Sequence, residues 1–319
     1  MNLQPLRNTD SIQALDEKQT KVAIAQALQT QDIDVLTNLY RYYKLARETK
    51  LKSVNAYVSD IKQFLTYAFT GDTLNLLRLT RKQAEAYKAY LLEHHSPSTA
   101  ARKLSSVRGF VDYLRDFELV KRNEFEGVKV KQVKQAAKIR YYSKKELKTL
   151  TSVLEGDLKL IVLLGSLAGL RISETLHLDW QQVDLFNDKL VILDTKSGQP
   201  RVVQIASQLK TALTKLKKRS GYVVEGVRYR KAEKDDSDPY KTARTYIYND
   251  LKTVCKTLDI QFKGTHGLRH ASGIMTLEAS QGNLQAVQQH LGHSSLQMAQ
   301  HYAKADLTDT HSIVATLGF

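Results

Sequence analysis

Between Ile33 and Phe117 the chain carries a single proline, Pro97, and its apolar residues recur every three or four positions. A 3.6-residue period without an interior breaker makes amphipathic helices and excludes half-buried strands, whose period is two. In "SVNAYVSDIKQFLTYAF" the residues Val54, Tyr57, Val58, Ile61, Phe64, Leu65 and Ala68 share one stripe. "SPSTAARKLSSVRGFVDYL" repeats the pattern with Leu104, Val107, Val111 and Leu114. Ser96 or Ser98 can cap that helix, and Pro97 suits its first turn. Arg102 and Ser106 lie off the stripe, where a phosphate contact and an ordinary solvated face are both open.

The pattern then changes. "GVKVKQVKQAAKIR" (Gly127–Arg140) has no acidic residue and reads as a linker. Its Lys129, Lys131 and Lys134 suit a polyanion backbone. "SKKEL" opens a second unit, with Ser143 and Glu146 in a capping-box pattern ahead of Leu147 and Leu150. "KLVIL" and "RVVQIA" are strand-like, and "DTKSGQP" joins them as a hairpin. Helical patterns return at Thr242–Leu258, Gly267–Glu278 and Leu284–Leu291. "RYRKAEKDDSDPYK" is highly charged and reads as a surface loop. The expected fold class is mainly α with a small β-sheet. It comprises a polar lead over 1–30 (loosely ordered or briefly helical), a helical domain over 31–122, a basic linker over 123–141, an α+β domain over 142–304 and a tail over 305–319.

The 319-residue chain has a net charge of +15, and both halves are basic. That favours a polyanion touching both halves, for which nucleic acid is the usual candidate, over a merely soluble basic protein. The one cysteine, Cys255, excludes an intrachain disulfide framework and a Cys-based zinc finger. The N-terminus lacks an apolar signal core, and no run of about 18 apolar residues occurs, so no membrane partner and a cytoplasmic location are expected.

Four separated pieces carry chemistry. In "AGLRISETLHL", Arg171 follows a nearly uncharged helix and lies three residues before Glu174. It is either half of a structural pair or a site for an anionic ligand. Lys196 sits at the hairpin tip, where a lysine is commonly just solvated. "THGLRHASG" places His266, Arg269 and His270 on or near one helical face. Such a set can grip a phosphate or a developing oxyanion, or simply form a polar helix start. "LGHSSLQMAQHYAK" ends one helix at Gly292, lets Ser294 cap the next, leaves His293 in the turn and delivers Tyr302 nine positions later. A metal site at His290, His293 and His301 is disfavoured by the lack of a Cys or carboxylate at ligand spacing. Together these residues can attack a phosphodiester without metal. The arginines offset charge on the non-bridging oxygens, a Lys or His protonates the leaving alkoxide, and a tyrosine stores the phosphoryl group covalently.

In order and spacing these pieces resemble the tyrosine recombinase, or phage-integrase-type, family. Arg171 in "GLRISE", Lys196, His266 and Arg269 in "HGLRH", His293 in "LGHSS" and Tyr302 in "HYAK" match its catalytic set, and Glu174 its supporting acidic position. "KRNEF" departs from the Asn-Pro that many members carry before the linker; nothing catalytic rests on it. The resemblance implies a two-domain DNA clamp, with a core-binding domain over 31–122 and a catalytic domain over 142–304. It also implies a site-specific DNA recombinase that needs no cofactor, neither ATP nor metal, and works through a 3′-phosphotyrosyl intermediate and a Holliday junction. In that chemistry Lys196 is the acid, His266 the base or proton relay, and Arg171, Arg269 and His293 hold the phosphate. The implied partners are double-stranded DNA with paired sites, a homotetramer on two such sites into which the apolar face of Ile313, Val314 and Leu317 docks between protomers, and accessory DNA-bending or directionality factors. The rival readings are a type IB topoisomerase-like relaxing enzyme and a DNA-binding relative without catalysis.

Overall fold

In a computed structural model, residues 3–7, 9–47, 49–70, 74–131, 139–193, 200–216, 219–226, 229, 240–293 and 295–306 are described. Lys134, Lys196, Ser294, most of the charged stretch at 228–241 and the tail from 307 onward lie outside them. The chain divides into two compact units, Met1–Lys134 and Gln135–Phe319.

The first unit is helical: α1 (Thr9–Ile12), α2 (Glu17–Gln29), α3 (Ile33–Leu45), α4 (Leu51–Phe69), α5 (Arg81–His94) and α6 (Pro97–Asp116). Side chains start most of them. Asp16 with Gln19 and Thr80 with Gln83 form capping boxes, Asp32 caps α3, and Ser96 caps α6 with Pro97 in its first turn. Of the α4 stripe, Val54, Ile61, Phe64, Leu65 and Ala68 are fully buried, while Tyr57 and Val58 are half-buried at its rim. The α6 stripe is buried throughout. Aromatic edges knit these helices: Phe64 meets Tyr87 at 4.9 Å and Phe125 at 5.6 Å, and Tyr40 meets Phe110 and Tyr113, each at 5.3 Å.

The core reaches beyond the expected 31–122 at both ends. Leu6 and Ile12 join it, and α2 contributes Ala23, Ile24, Ala27 and Leu28, so residues 1–30 are not a polar lead. Their apolar face is built mostly of alanine, which a reading weighted toward Leu, Ile and Val passes over. At the other end Phe125 and Val128 are buried. Asn123 of "KRNEF" ties this stretch to α6, donating to Arg108 O and Asp112 Oδ1, both at 2.9 Å, and accepting from Phe125 N at 3.0 Å. The first unit's core therefore extends past residue 123 to Val128 and Val130, with Lys129 and Lys131 exposed.

Ser106 requires a correction. It is 4% exposed, and its hydroxyl donates to Asp60 Oδ2 at 2.8 Å, so it faces α4 rather than a phosphate. Arg102 grips the same carboxylate with both Nη atoms, and Lys103 Nζ donates to it at 3.0 Å.

The second unit contains α7 (Lys144–Val153), α8 (Gly156–Leu167), α9 (Ile172–His177), a three-stranded antiparallel sheet, α10 (Ser207–Thr214), and helices over Lys241–Thr257, His266–Ala279, Leu284–Leu291 and Leu296–Asp306. The Ser143–Glu146 capping box forms. The sheet runs in the order β1 (Val183–Asp184), β2 (Lys189–Ile192), β3 (Arg201–Gln204), with Ile192 opposite Arg201 at the hairpin end. The apolar helix α8 packs against α7, α10 and the His266–Ala279 helix, which places it at the centre of the unit. Beside it, Tyr142 Oη accepts from Lys263 N at 3.0 Å and lies 3.9 Å from Sγ of the fully buried Cys255. Among the described residues no helix is long and apolar enough to cross a membrane, and no three His, Cys, Asp or Glu side chains gather to hold a metal.

Candidate active site

The site forms where α9, β3, the His266–Ala279 helix and the turn before the last helix converge. Arg171 precedes α9, whose third residue, Glu174, turns back to accept Arg171 N at 2.8 Å and Arg171 Nη1 at 2.6 Å. Glu174 is buried and also takes Arg201 Nη1 at 3.0 Å and Nη2 at 2.7 Å; Arg269 Nη1 stands 3.7 Å away. Burial pushes the Glu174 carboxyl up, but Arg201 and Arg171 outweigh it and hold the group below its usual value. The anion therefore stays charged and fixes the Arg171 and Arg201 guanidinium groups, with that of Arg269 beside them. Arg171 pairs with Glu174 and keeps 21% of its side chain exposed.

Arg269 is 2% exposed and donates to Gly169 O and Leu291 O, each at 2.5 Å. Burial and the nearby Arg171 pull its pKa down to about 9, against the opposing pull of Glu174. A guanidinium has five N–H donors, so two fixed on carbonyls leave others for a ligand.

His266 begins its helix and is held below its usual pKa by burial, with Arg269 and Arg171 adding to it. The Leu284–Leu291 helix ends at Gly292 in the left-handed conformation (φ 64°), as its sequence suggested, and the chain turns to present His293. Burial, then Arg269 and Arg171, brings His293 to about 4, so its ring is neutral at neutral pH. Tyr302 is 3% exposed and stacks on His293, with ring centroids 5.9 Å apart and planes 17° apart. Its hydroxyl lies 3.0 Å from Nδ1 of His270. The ring can seat there because residue 273 is glycine: a Cβ at that position would fall 2.5 Å from Tyr302 Cε1 and 2.8 Å from Cζ.

The structure thus gathers Arg171, Glu174, His266, Arg269, His293 and Tyr302 in one place. Lys196 lies outside the described residues, between β2 and β3 in the chain. Arg201 was not expected, because 27 residues separate it from Glu174 and no local pattern marks it. Ser272 and His290, paired at 2.8 Å, were likewise not anticipated as a pair; burial, then Arg201 and Arg269, brings His290 to about 4. His270 was visible in "HGLRH" but had no assigned partner.

Comparison with known proteins gives a consistent result. Residues 140–308 match the Phage integrase family, and residues 36–117 match its N-terminal SAM-like domain. Tyrosine recombinase XerC of Pediococcus pentosaceus is 30% identical over 296 residues, spanning 85% of this chain and 93% of that protein. The lambda integrase tetramer bound to a Holliday junction superposes with a TM-score of 0.62 at 16% identity, over 82% of this chain and 76% of that one. XerH bound to palindromic difH in a post-cleavage complex gives 0.62 at 16% identity, over 95% and 85%. The arrangement of side chains and the extent of the sequence match agree: the chain belongs to the phage integrase family and is a tyrosine-type site-specific DNA recombinase.

Proposed function

We propose that Tyr302 is the nucleophile of this recombinase and that Arg171, Arg269 and His293 hold the scissile phosphate, with Glu174 fixing the arginines. Tyr302 Oη attacks phosphorus, the P–O5′ bond breaks, and a 3′-phosphotyrosyl link and a 5′-hydroxyl result. Lys196, ahead of β3 in the chain, gives the proton to the departing O5′. A 5′-hydroxyl from the partner duplex then reverses the step, and bond energy is kept in the phosphotyrosine throughout. The single observation that carries this reading is Tyr302 stacked on His293 beside two arginines that share one buried carboxylate. We further place the core-binding function on the helical unit and the exposed Lys129 and Lys131 on the DNA backbone, with Arg102 as a candidate contact while it pairs with Asp60. The functional assembly is proposed as a homotetramer on two DNA sites passing through a Holliday junction. The tetrameric lambda integrase, alike in fold, supports that state; accessory DNA-bending factors are compatible with it.

Tyr302→Phe tests the assignment, because it removes only the attacking oxygen. Specific DNA binding is expected to persist while covalent capture on a nicked duplex stops. A covalent adduct formed by this variant would overturn the assignment. Relaxation of supercoiled DNA lacking any specific site would favour topoisomerase-like action instead.

A further inference from the structure

We infer that His270, rather than His266, takes the phenolic proton of Tyr302 as the strand is cut. The inference rests on Tyr302 being the nucleophile and adds the group that activates it.

Burial raises the Tyr302 hydroxyl above its ordinary 10.0, and the opposing pull of Arg269 and Arg171 does not cancel that rise. At neutral pH the attacking oxygen therefore carries its proton, and a neutral phenol is a weak nucleophile until an acceptor removes it. The acceptor has to lie within hydrogen-bond reach of that oxygen. His270 Nδ1 does, at 3.0 Å. With its own hydrogen on Nε2, the ring accepts at Nδ1, and Tyr302 Oη donates to it.

The other site histidines are placed differently. His293 lies offset beside the Tyr302 ring, centroids 5.9 Å apart and planes 17° apart, and its buried Nδ1 makes no hydrogen bond to the Tyr302 hydroxyl. His266 stands one helical turn before His270, ring centroids 4.5 Å apart and nearly perpendicular. It is therefore a neighbour of the acceptor, which it can orient or relieve of charge. The helix itself favours this contact. Gly273 lies three residues after His270 and so on the same face, and its missing Cβ is what admits the Tyr302 ring. One face thus supplies both the space for the tyrosine and the nitrogen that meets its hydroxyl.

In cleavage the Oη–P bond forms and the P–O5′ bond breaks. The Oη proton moves to His270 Nδ1, and O5′ leaves as a hydroxyl with a proton from Lys196. In rejoining, His270 returns its proton to Oη. Facing His270 are His266 on its own helix, Tyr302 on the last helix and His293 in the turn, and Arg171 and Arg269 act on Tyr302 and His293 beside it.

The test measures the rate of covalent capture on a nicked duplex, with DNA affinity followed separately. His270→Gln and His270→Ala are expected to bind DNA like the parent but to form adduct about a hundredfold more slowly. Replacing Tyr302 by difluorotyrosine lowers the acidity barrier without changing ring placement. In the His270→Ala background it is expected to recover about tenfold or more of the lost rate, and in the parent to gain little. A merely structural His270 would show no such recovery. Cleavage as fast as or faster than the parent in both His270 variants would overturn the inference, because His270 would then only hold the tyrosine aside. Equal rescue of His266→Gln with no rescue of His270→Ala would move the role to His266. If Tyr302→Phe still formed an adduct, the nucleophile assignment itself would fall, an outcome separate from all of these.

Discussion

Among the described residues each unit buries one carboxylate among cations, and the two clusters behave differently. In the helical unit Asp60 is 2% exposed and holds Arg102, Lys103 and Ser106, all on α6, so it staples α4 to that helix. In the other unit Glu174 holds Arg171 from its own turn and Arg201 from β3, with Arg269 close by. Burial opposes both anions, and the hydrogen-bonded cations more than offset it, so both titrate low. The difference lies in the cations. The Arg102 side chain is 52% exposed and can turn to water, whereas those of Arg201 and Arg269 are 7% and 2% exposed and cannot. Asp60, with Arg102 open to solvent beside the more buried Lys103, is a fastener. Glu174, with Arg201 and Arg269 buried beside it and Arg171 at the opening, is a jig that sets where several positive charges point.

Glu174→Gln should show the largest effect. It leaves Arg201 and Arg269 buried without an anion, a situation that costs about 3–5 kcal/mol when one partner of a buried pair is lost. Urea unfolding is expected to show that loss. Covalent capture should also fall about a hundredfold or more, as expected when phosphate-stabilising donors are misplaced. Retention of full cleavage at lowered stability would reduce Glu174 to a fastener like Asp60.

Asp60→Asn should be milder, about 1–3 kcal/mol, because Arg102 can rehydrate. Its signature is in the pH dependence. The folded Asp60 carboxyl titrates below its ordinary 3.8, so its contribution is complete above that value and fades as pH falls through the lower folded value. Stability curves of parent and variant should therefore converge on acidification. A gap that stayed constant to the lowest pH would mean that shape, not charge, makes this staple.

Ser106→Ala should be the smallest, about 1 kcal/mol for one hydrogen bond to the shared carboxylate, with no change in DNA affinity. Weaker DNA binding at unchanged stability would restore the phosphate contact that the sequence had left open.

This ordering also shows what the sequence could carry. Helix stripes, the Ser143–Glu146 box, the Gly292 turn and the clustering of Arg171, His266, Arg269, His293 and Tyr302 are local patterns or matched motifs, and they appear where expected. The role of Arg201 was hidden, because a strand residue reveals its partner only when the hairpin folds back against α9. Ser106 was misplaced because, one turn beyond Arg102, it looks solvent-facing until Asp60 appears opposite. The α2 face escaped because alanines bury little area each, and their value depends on the close approach of a neighbouring helix.

The seclusion of Cys255 has a practical side. It is the chain's one cysteine, and burial raises its pKa, so it offers neither access nor thiolate to reagents at neutral pH. The native protein is therefore already a silent background for thiol chemistry. A cysteine introduced at an exposed position such as Lys129→Cys would be the one thiol at the surface among the described residues. It could be tethered by disulfide exchange to DNA carrying a thiol at chosen phosphates, mapping the path of the basic segment without first re-engineering the core.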